Sequence, residues 1–291
     1  YGNLHFTIIE ANSDALVNEP QNLVPFLTQD LMSASLRRAM GEIDFTFAAQ
    51  HFPIYSNHED RNQDADVAAA FGMPALTHVD NFALLAVEEP LFEAAQLDVL
   101  LTGHNHHFER SKPMLAGRST EAHADGVHAS EERHYHDPAG YIEVISGGGG
   151  QSLYEFAPAE ATAEWSVAYA KSYHVTRIAA VDDFIDVSHV VTSPCTGQAN
   201  CDPTPPGELL DHWSMHRVGG AVSSATPATG SEHDGPVRFI LTGDTGEGND
   251  AQRRVAGVME DVCEDEASPI YRGPCDFMAI LGDIIYESGI S

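Results

Sequence analysis

Histidine side chains stand directly after two apolar runs of this chain, where a metal-binding enzyme would place its ligands. His104 and His106 follow the largely apolar run 97–101, and His51 follows the run 45–49. Each run has the length and composition of a buried strand. Imidazole nitrogens are common metal ligands, so both strand ends are candidate parts of a metal site.

Aspartate and tyrosine side chains follow two further apolar runs near the other end of the chain. Asp244 comes after the run 239–241, and Asp283 comes after the run 277–281, with Tyr286 three residues beyond it. A single Gly-Asp pair is ordinary turn chemistry. Carboxylate, imidazole and phenolate donors after four strands, however, together suit a hard or borderline ion such as ferric iron, zinc or manganese.

The elements that must carry these donors alternate between strands and helices. The predicted strands are 5–9, 45–49, 97–101, 141–145, 173–181, 184–191, 239–241 and 277–281, and the predicted helices are 28–40, 90–95 and 250–262. This alternation predicts an α/β sandwich with its functional loops at the carboxyl ends of strands. The strands 173–181 and 184–191 are predicted to form a hairpin on a partly exposed sheet.

The charge balance excludes some partners. The chain has 44 acidic and 14 basic residues, and such a surface repels nucleic acid and anionic membranes. No apolar run of about 18 residues is present, so no membrane span is predicted. A phosphorylated substrate would also be repelled at long range. Its site therefore needs local positive charge, for which bound cations are a natural source.

The cysteines fall into two close pairs, Cys195 with Cys201 and Cys263 with Cys275. Close pairing in an acidic protein favours two small-loop disulfides and an oxidising, secreted or periplasmic compartment. Four free thiols are the alternative. No signal peptide is visible at the first residues, and a secreted precursor would have lost it.

Two segments differ in composition from the rest. Residues 193–236 are rich in proline, glycine, serine and threonine and predict a linker with at most a short helix around 208–216. Residues 118–138 carry His123, His128, His134 and His136. A solvated surface insertion and an accessory metal site are both open interpretations of that segment.

Four motifs together resemble the calcineurin-like metallophosphoesterase superfamily, specifically its purple acid phosphatase (tartrate-resistant acid phosphatase-like) branch. They are 243–246 (GDTG), 282–289 (GDIIYESG), 51–56 (HFPIYS) and 103–106 (GHNH). The resemblance covers about residues 1–190 and 237–291. It implies an α/β fold, specifically a four-layer α/β/β/α metallophosphoesterase sandwich with two mixed sheets.

The resemblance implies a ligand set for two metal ions. Asp244, Tyr286 and His106 would bind a ferric ion, and Asp283 would bridge both ions. The tyrosine after the second Gly-Asp separates this branch from relatives that lack a phenolate ligand.

The resemblance also assigns the second ion and a catalytic residue. His51 and His104 would bind Fe2+, Zn2+ or Mn2+, and His58 would meet the substrate or its leaving group. The implied reaction is attack of a metal-bound hydroxide on a phosphoester. A surface role for His58 is the alternative.

The motif order departs from the family. The Gly-Asp motifs come first in the family and last here, so the domain is expected to be circularly permuted or cut in mid-domain. Residues 1–192 would be its C-terminal part, 193–236 a linker and 237–291 its N-terminal part. The family's Gly-Asn-His motif does not occur in the chain. Neighbouring copies of the protein are one candidate source for it.

The sequence therefore supports more than one function. The first hypothesis is a secreted or otherwise extracellular phosphomonoesterase that acts on a small phosphorylated substrate. A phosphodiesterase using the same ions is the alternative enzyme. A non-catalytic structural or binding protein that retains the fold, as a repeat unit of an extracellular assembly, is the alternative of a different class.

Overall fold

The structure of the protein is a computed structural model that describes residues 2–10, 20–58, 79–119, 133–156, 163, 165–217, 236–246 and 248–283. Tyr286, His123 and His128 lie outside these ranges. Within them, no helix is long and apolar enough to cross a membrane.

The first sheet contains six strands in the order β1-β2-β3-β8-β4-β9. Its members are β1 (Leu4–Ile8), β2 (Phe45–Ala49), β3 (Val99–Thr102), β4 (Phe108–Ser111), β8 (Ile142–Ser146) and β9 (Ser166–Ala170). The neighbouring strands β1, β2, β3 and β8 pair in parallel, and β4 pairs antiparallel with both β8 and β9. The sheet is therefore mixed, as predicted.

The second sheet also contains six strands, in the order β14-β13-β10-β11-β12-β7. Its members are β7 (His134–His136), β10 (Tyr173–Val181), β11 (Phe184–Ser193), β12 (Leu209–His216), β13 (Val237–Thr242) and β14 (Phe277–Ile280). The pairs β13–β14 and β12–β7 are parallel, and the other pairs are antiparallel. Two short strands, β5 (Met114–Leu115) and β6 (Arg118–Ser119), pair with each other outside both sheets.

Helices cover the outer faces of the two sheets. They are α1 (Pro20–Ala39), α2 (Phe82–Val87), α3 (Glu89–Ala95) and α4 (Asp250–Cys263). The first three pack on the first sheet through Leu31, Phe92 and Leu100, and α4 packs on the second through Val255 and other apolar residues. The inner faces meet in a shared core, whose members include Phe47, Val144, Ile178, Trp213 and Phe239. The predicted four-layer α/β/β/α arrangement is confirmed.

Local chemistry explains where α4 begins and how it is fixed. The Asn249 side chain accepts a hydrogen bond from the Gln252 backbone N–H, which satisfies one of the unpaired donors of the first turn. The helix ends at Cys263, which forms a disulfide with Cys275. Cys195 and Cys201 form the other disulfide. The cysteines therefore pair as the spacing predicted.

Three sequence-based expectations need correction. Leu209–His216 is strand β12, not a helix, so part of the predicted linker belongs to the second sheet. His134–His136 forms the edge strand β7, so this part of the predicted insertion is not a loop. The β10–β11 hairpin does form, but it lies in the middle of its sheet and is largely buried.

Two helix predictions were incomplete. Helix α1 begins at Pro20, earlier than the predicted 28–40. Residues 82–95 form two helices separated at Glu88, of which only the second was predicted.

A buried arginine joins the two sheets. The Arg110 side chain on β4 donates to Asp211 Oδ2 at 2.6 Å and to the Tyr135 hydroxyl at 2.7 Å. Its guanidinium carbon also lies 5.5 Å from the ring centroid of Trp213. Burial alone would raise the pKa of Asp211, but the charge and hydrogen bond of Arg110 oppose it and the pKa lies below its ordinary value.

We expect Arg110→Met to lower the free energy of unfolding by about 3–5 kcal/mol, because it leaves the Asp211 carboxylate buried without its partner. The matched change is Arg37→Met, which breaks an exposed pair with Glu42 at 3.1 Å. That variant should stay within about 1 kcal/mol of wild type. Urea unfolding measures both, and equal losses would contradict a central role for Arg110.

Glu88, between α2 and α3, gives the fold a specific pH dependence. Burial raises its pKa to about 8 from an ordinary 4.5, and the nearby Gln50 side chain opposes part of this rise. In the unfolded chain the carboxyl ionises above its ordinary pKa, while the folded protein still holds it protonated. Stability should therefore fall as the pH rises from about 5 to 8.

We expect Glu88→Gln to reduce this fall, because the amide keeps the shape and cannot ionise. The control is Glu260→Gln, at an exposed position of α4. Thermal unfolding at several pH values between 5 and 8 measures the effect. Parallel pH profiles for the two variants would rule out Glu88 as the source.

Candidate metal centre

The carboxyl ends of four strands meet at one edge of the sandwich. His51 follows β2, His104 follows β3, Asp244 follows β13 and Asp283 follows β14. Within each sheet the two strands are parallel neighbours, so their carboxyl ends lie side by side. Packing of the two sheets then brings the two histidine loops to the two aspartate loops.

The donor atoms converge closely enough for one ion. Ligand atoms of His51, Asp244 and Asp283 all lie within 4.8 Å of one another, which makes them a group of three metal-ligand residues in the described part of the chain. His51 Nε2 is 3.5 Å from Asp283 Oδ1, and His106 Nε2 is 3.5 Å from Asp244 Oδ1. The ring centroids of His51 and His104 are 5.1 Å apart.

Backbone carbonyls orient two of the imidazole rings. The Nδ1–H of His51 donates to Leu281 O at 2.7 Å, and the Nδ1–H of His106 donates to Ser152 O at 2.8 Å. The carbonyl oxygen fixes the tautomer in each case, so Nε2 keeps its lone pair and lies near a carboxylate. Such a bond on the far nitrogen is typical of histidines that bind metals.

His104 is held in the neutral form that can bind a cation. Burial lowers its pKa to about 4, and the neighbouring rings of His51 and His106 lower it further, against an opposing effect of Asp283. These partners show that the predicted ligands share one electrostatic environment. A neutral imidazole offers a lone pair to a cation without first losing a proton.

The backbone at the site is held in an unusual conformation. His104, Asp244 and Asp283 have φ values of 63°, 59° and 47°, in the left-handed region, which non-glycine residues enter at a cost. Hydrogen bonds fix the two aspartate loops together, since Asp244 N donates to Gly282 O at 3.3 Å and Thr245 N donates to Asp283 O at 3.1 Å. The three residues with left-handed backbone therefore lie where the chain turns after β3, β13 and β14.

Two glycines allow the loops to approach one another. A Cβ atom at Gly282, where φ is +92°, would lie 2.5 Å from His51 Nδ1. A Cβ at Gly103 would lie 2.8 Å from Leu281 O and 3.0 Å from Asp244 Oδ2. Gly282 and Gly103 therefore allow the loops to pack closely, in addition to any role in the turn after each strand.

Tyr154 is part of the site and was missed in the sequence. Its ring stacks on His106 with centroids 4.0 Å apart and contacts His58 at 4.7 Å. Burial raises the pKa of its hydroxyl, and the charges of Asp244 and Asp283 raise it further. The available signal was the run of four glycines at 147–150, directly after β8, which leads the chain back over the site.

The structure thus groups most of the predicted site residues. The loops bring together His51, His104, His106, Asp244 and Asp283. His58 lies beside this group, with Tyr154 between it and His106, and its ring centroid is 6.3 Å from that of His107. Tyr286 is outside the described residues, so its role as a ligand stays a prediction.

A cavity of about 590 Å³ opens beside the donors. Its walls are mainly apolar and include Ile8, Phe52 and Ile280, with His51, His104 and Asp283 on one side. This volume suits a small organic ligand. Apart from the histidines, its described lining carries no basic side chain.

Proteins similar to this chain are found among solved structures. No protein-family model matches the chain, and no curated protein sequence matches it. The chain is similar to the purple acid phosphatase PPD1 from yellow lupin (Lupinus luteus) seeds, with a TM-score of 0.49, 21% identity and coverage of 75% of this chain and 32% of that one. It is also similar to GAP50, the anchor in the inner membrane complex of Plasmodium, with a TM-score of 0.39, 14% identity and coverage of 70% and 50%.

This chain therefore spans 32% and 50% of the lengths of these two proteins. Similarity at this level carries no argument about activity.

We expect Gly282→Ala to weaken binding of Zn2+ at this centre by at least about ten-fold, because the new methyl group would displace the His51 ring, and loss of ligand orientation carries a penalty of this size. The matched change is Gly257→Ala in α4, where an added Cβ meets nothing within 4 Å. That variant should leave Zn2+ affinity unchanged and stabilise the helix by about 0.5–1 kcal/mol. Calorimetric titration measures affinity, and equal affinities in the two variants would show that the contact at Gly282 does not position a ligand.

Proposed function

We propose that this protein is a phosphoester hydrolase of the dinuclear-metal, acid phosphatase-like type. The observation that carries the proposal is the convergence of His51, Asp244 and Asp283, whose ligand atoms lie within 4.8 Å of one another. His104 and His106 adjoin this group, so the chain offers nitrogen and oxygen donors on two sides. Such a donor set suits iron, zinc or manganese.

The burial of the two carboxylates supports different roles for them. The Asp244 side chain is fully buried, whereas the Asp283 side chain is 43% exposed. In the proposal Asp244, His106 and Tyr286 would hold Fe3+, and Asp283 would be shared with a second ion, Fe2+, Zn2+ or Mn2+. His51 and His104 would hold that second ion.

Electrostatics favour a phosphoryl substrate only when cations are bound. The chain has a formal charge of −30, and the described lining of the cavity has no lysine or arginine. Cations held by these donors would supply the positive charge that the phosphoryl oxygens need and would favour attack by water. A small phosphomonoester, with its organic part against the apolar cavity wall, is the proposed substrate class.

Residues around the donors orient the substrate in this proposal. His58 and Tyr154 form one wall, because their rings pack together and Tyr154 packs on His106. From this wall His58 would hydrogen-bond the phosphoryl group or the leaving-group oxygen. The apolar ring of Phe52, which contacts His104 with centroids 4.2 Å apart, limits access of water on the opposite side.

We expect Asp283→Asn to reduce hydrolysis of a generic aryl phosphate by at least about 100-fold, because the variant loses the carboxylate proposed to hold both ions. The control is Asp250→Asn, which removes the same charge from an exposed position in the first turn of α4. It should retain wild-type turnover. Unchanged turnover in Asp283→Asn would refute the assignment.

Metal content separates the proposed enzyme from the binding-protein alternative. The chain lacks the family's Gly-Asn-His motif, which favours that alternative at the second ion. A purified protein that holds two ions, shows the visible absorption of an iron–tyrosinate pair and hydrolyses the aryl phosphate supports the enzyme. Bound metal without turnover supports a non-catalytic protein, and preferential turnover of an aryl diester supports a phosphodiesterase.

The proposal places the protein outside the cytoplasm. Two disulfides close loops on the α4 side of the structure, which favours an oxidising compartment. The acidic surface disfavours nucleic acid as a partner. The source of the missing motif, including a neighbouring copy of the protein, stays part of the proposal.

A further inference from the structure

The outer face of the second sheet carries a group of histidines far from the centre described above. Helix α4 covers this face near β10, β11 and β13. At the other end, β12 and β7 present four imidazole side chains: His134, His136, His212 and His216. They share one face because they alternate with Tyr135, Trp213 and Met215, which point into the core.

Two of these histidines are direct neighbours. His136 and His216 are in register on the parallel strands β7 and β12, and their ring centroids are 5.8 Å apart. A carboxylate is also present, since Asp183 Oδ2 lies 3.1 Å from His216 Nε2. For comparison, His51 and His104, proposed to share one ion, have centroids 5.1 Å apart.

The backbone fixes these three residues relative to one another. Asp137 N donates to His216 O at 2.7 Å, which holds the residue after His136 beside β12. Arg217 N donates to Asp183 O at 2.9 Å, which holds the β10–β11 turn beside the end of β12. His136 and His216 therefore lie on paired strands, which position side chains more precisely than loops do, and Asp183 lies in the turn beside them.

The charges around this group favour a cation. The Arg217 guanidinium is turned away, because Nε donates to Asp98 at 2.6 Å and Nη1 donates to Pro138 O at 2.6 Å. Nη1 of Arg217 also donates a hydrogen bond to Asp137 Oδ1 at 3.2 Å, so one nearby carboxylate is paired with this arginine. Asp182 and Asp183 occupy the adjacent turn, so the surroundings of the histidines are acidic.

We propose that His136, His216 and Asp183 bind one divalent ion of the zinc, copper or nickel class. Two imidazoles and one carboxylate match the ligand preference of these borderline ions rather than that of Ca2+ or Mg2+. Water would complete the coordination of an ion at this exposed position. The inference does not depend on phosphatase activity. The histidines lie on β12 and β7, at the edge of the second sheet opposite β14, which carries Asp283 at its end.

A matched control exists on the same strand. His212 Nε2 lies 2.7 Å from Asp186 Oδ2 and forms the same kind of imidazole–carboxylate pair. Its partner in register on β11 is Ser188. Among the described residues His212 has no ring contact like the one between His136 and His216. A general affinity of surface histidines for metal would involve both pairs equally.

The test is calorimetric titration of Zn2+ into the full chain, with Asp283→Asn as a common background to weaken the other centre. We expect His136→Ala and His216→Ala each to weaken one binding event by at least about ten-fold, since loss of a direct ligand should exceed the loss of an outer-shell partner. His212→Ala should bind as the background does. Circular dichroism checks that each variant is folded.

A second measurement counts the ligands. The superhyperfine splitting of copper bound to the background protein should lose the contribution of one imidazole nitrogen in His216→Ala and should be unchanged in His212→Ala. The proposal is overturned by identical Zn2+ isotherms in all variants, by equal losses in His212→Ala and His216→Ala, or by a copper spectrum that His216→Ala leaves unchanged. If Asp283→Asn abolishes turnover but leaves Zn2+ binding at His136, His216 and Asp183 intact, the result bears only on the proposed hydrolase function.

Discussion

The hydrogen bonds that tie the strand ends together are the constraint on which the candidate site depends. Gly103 N donates to His51 O at 2.9 Å and joins the ends of β2 and β3. Gly243 N donates to Ser146 O at 2.7 Å and joins the end of β13 to the end of β8 in the other sheet. Because the donors come from loops separated by most of the chain, their convergence requires these bonds and the aromatic core between the sheets. Phe47 and Phe239 form part of that core, with ring centroids 5.7 Å apart.

Three of the scarce arginines of this acidic protein have structural roles inside the fold. Arg110 pairs with Asp211, and both Arg38 and Arg217 pair with the buried Asp98. Burial of a carboxylate without a partner carries a large penalty, so these pairs are required where the carboxylates are buried. Their use in the interior leaves the described lining of the cavity beside Asp283 without lysine or arginine. In the proposed function, bound cations would therefore supply the positive charge for an anionic substrate.

The reversed motif order is compatible with the observed strand order. Strand β13, from the predicted N-terminal part of the domain, pairs with β10 from the predicted C-terminal part, in one sheet. Strand pairing depends on which strands are adjacent in space, whereas the order of strands along the chain can vary. The boundaries 1–192, 193–236 and 237–291 stay predictions, except that β12 shows the middle segment to be part of the second sheet.

The sequence by itself determined strands β2, β3, β13 and β14, because short apolar runs followed by Gly-Asp, Gly-His or Gln-His pairs are a local signal. It also indicated that His51, His104 and Asp244 belong together. Only the tertiary structure decided that β12 is a strand, since alternation of histidine with Trp213 and Met215 becomes meaningful when the other sheet covers one face. The stacking of Tyr154 and the register of β7 with β12 likewise arise from contacts between distant segments, which no local pattern of residues specifies.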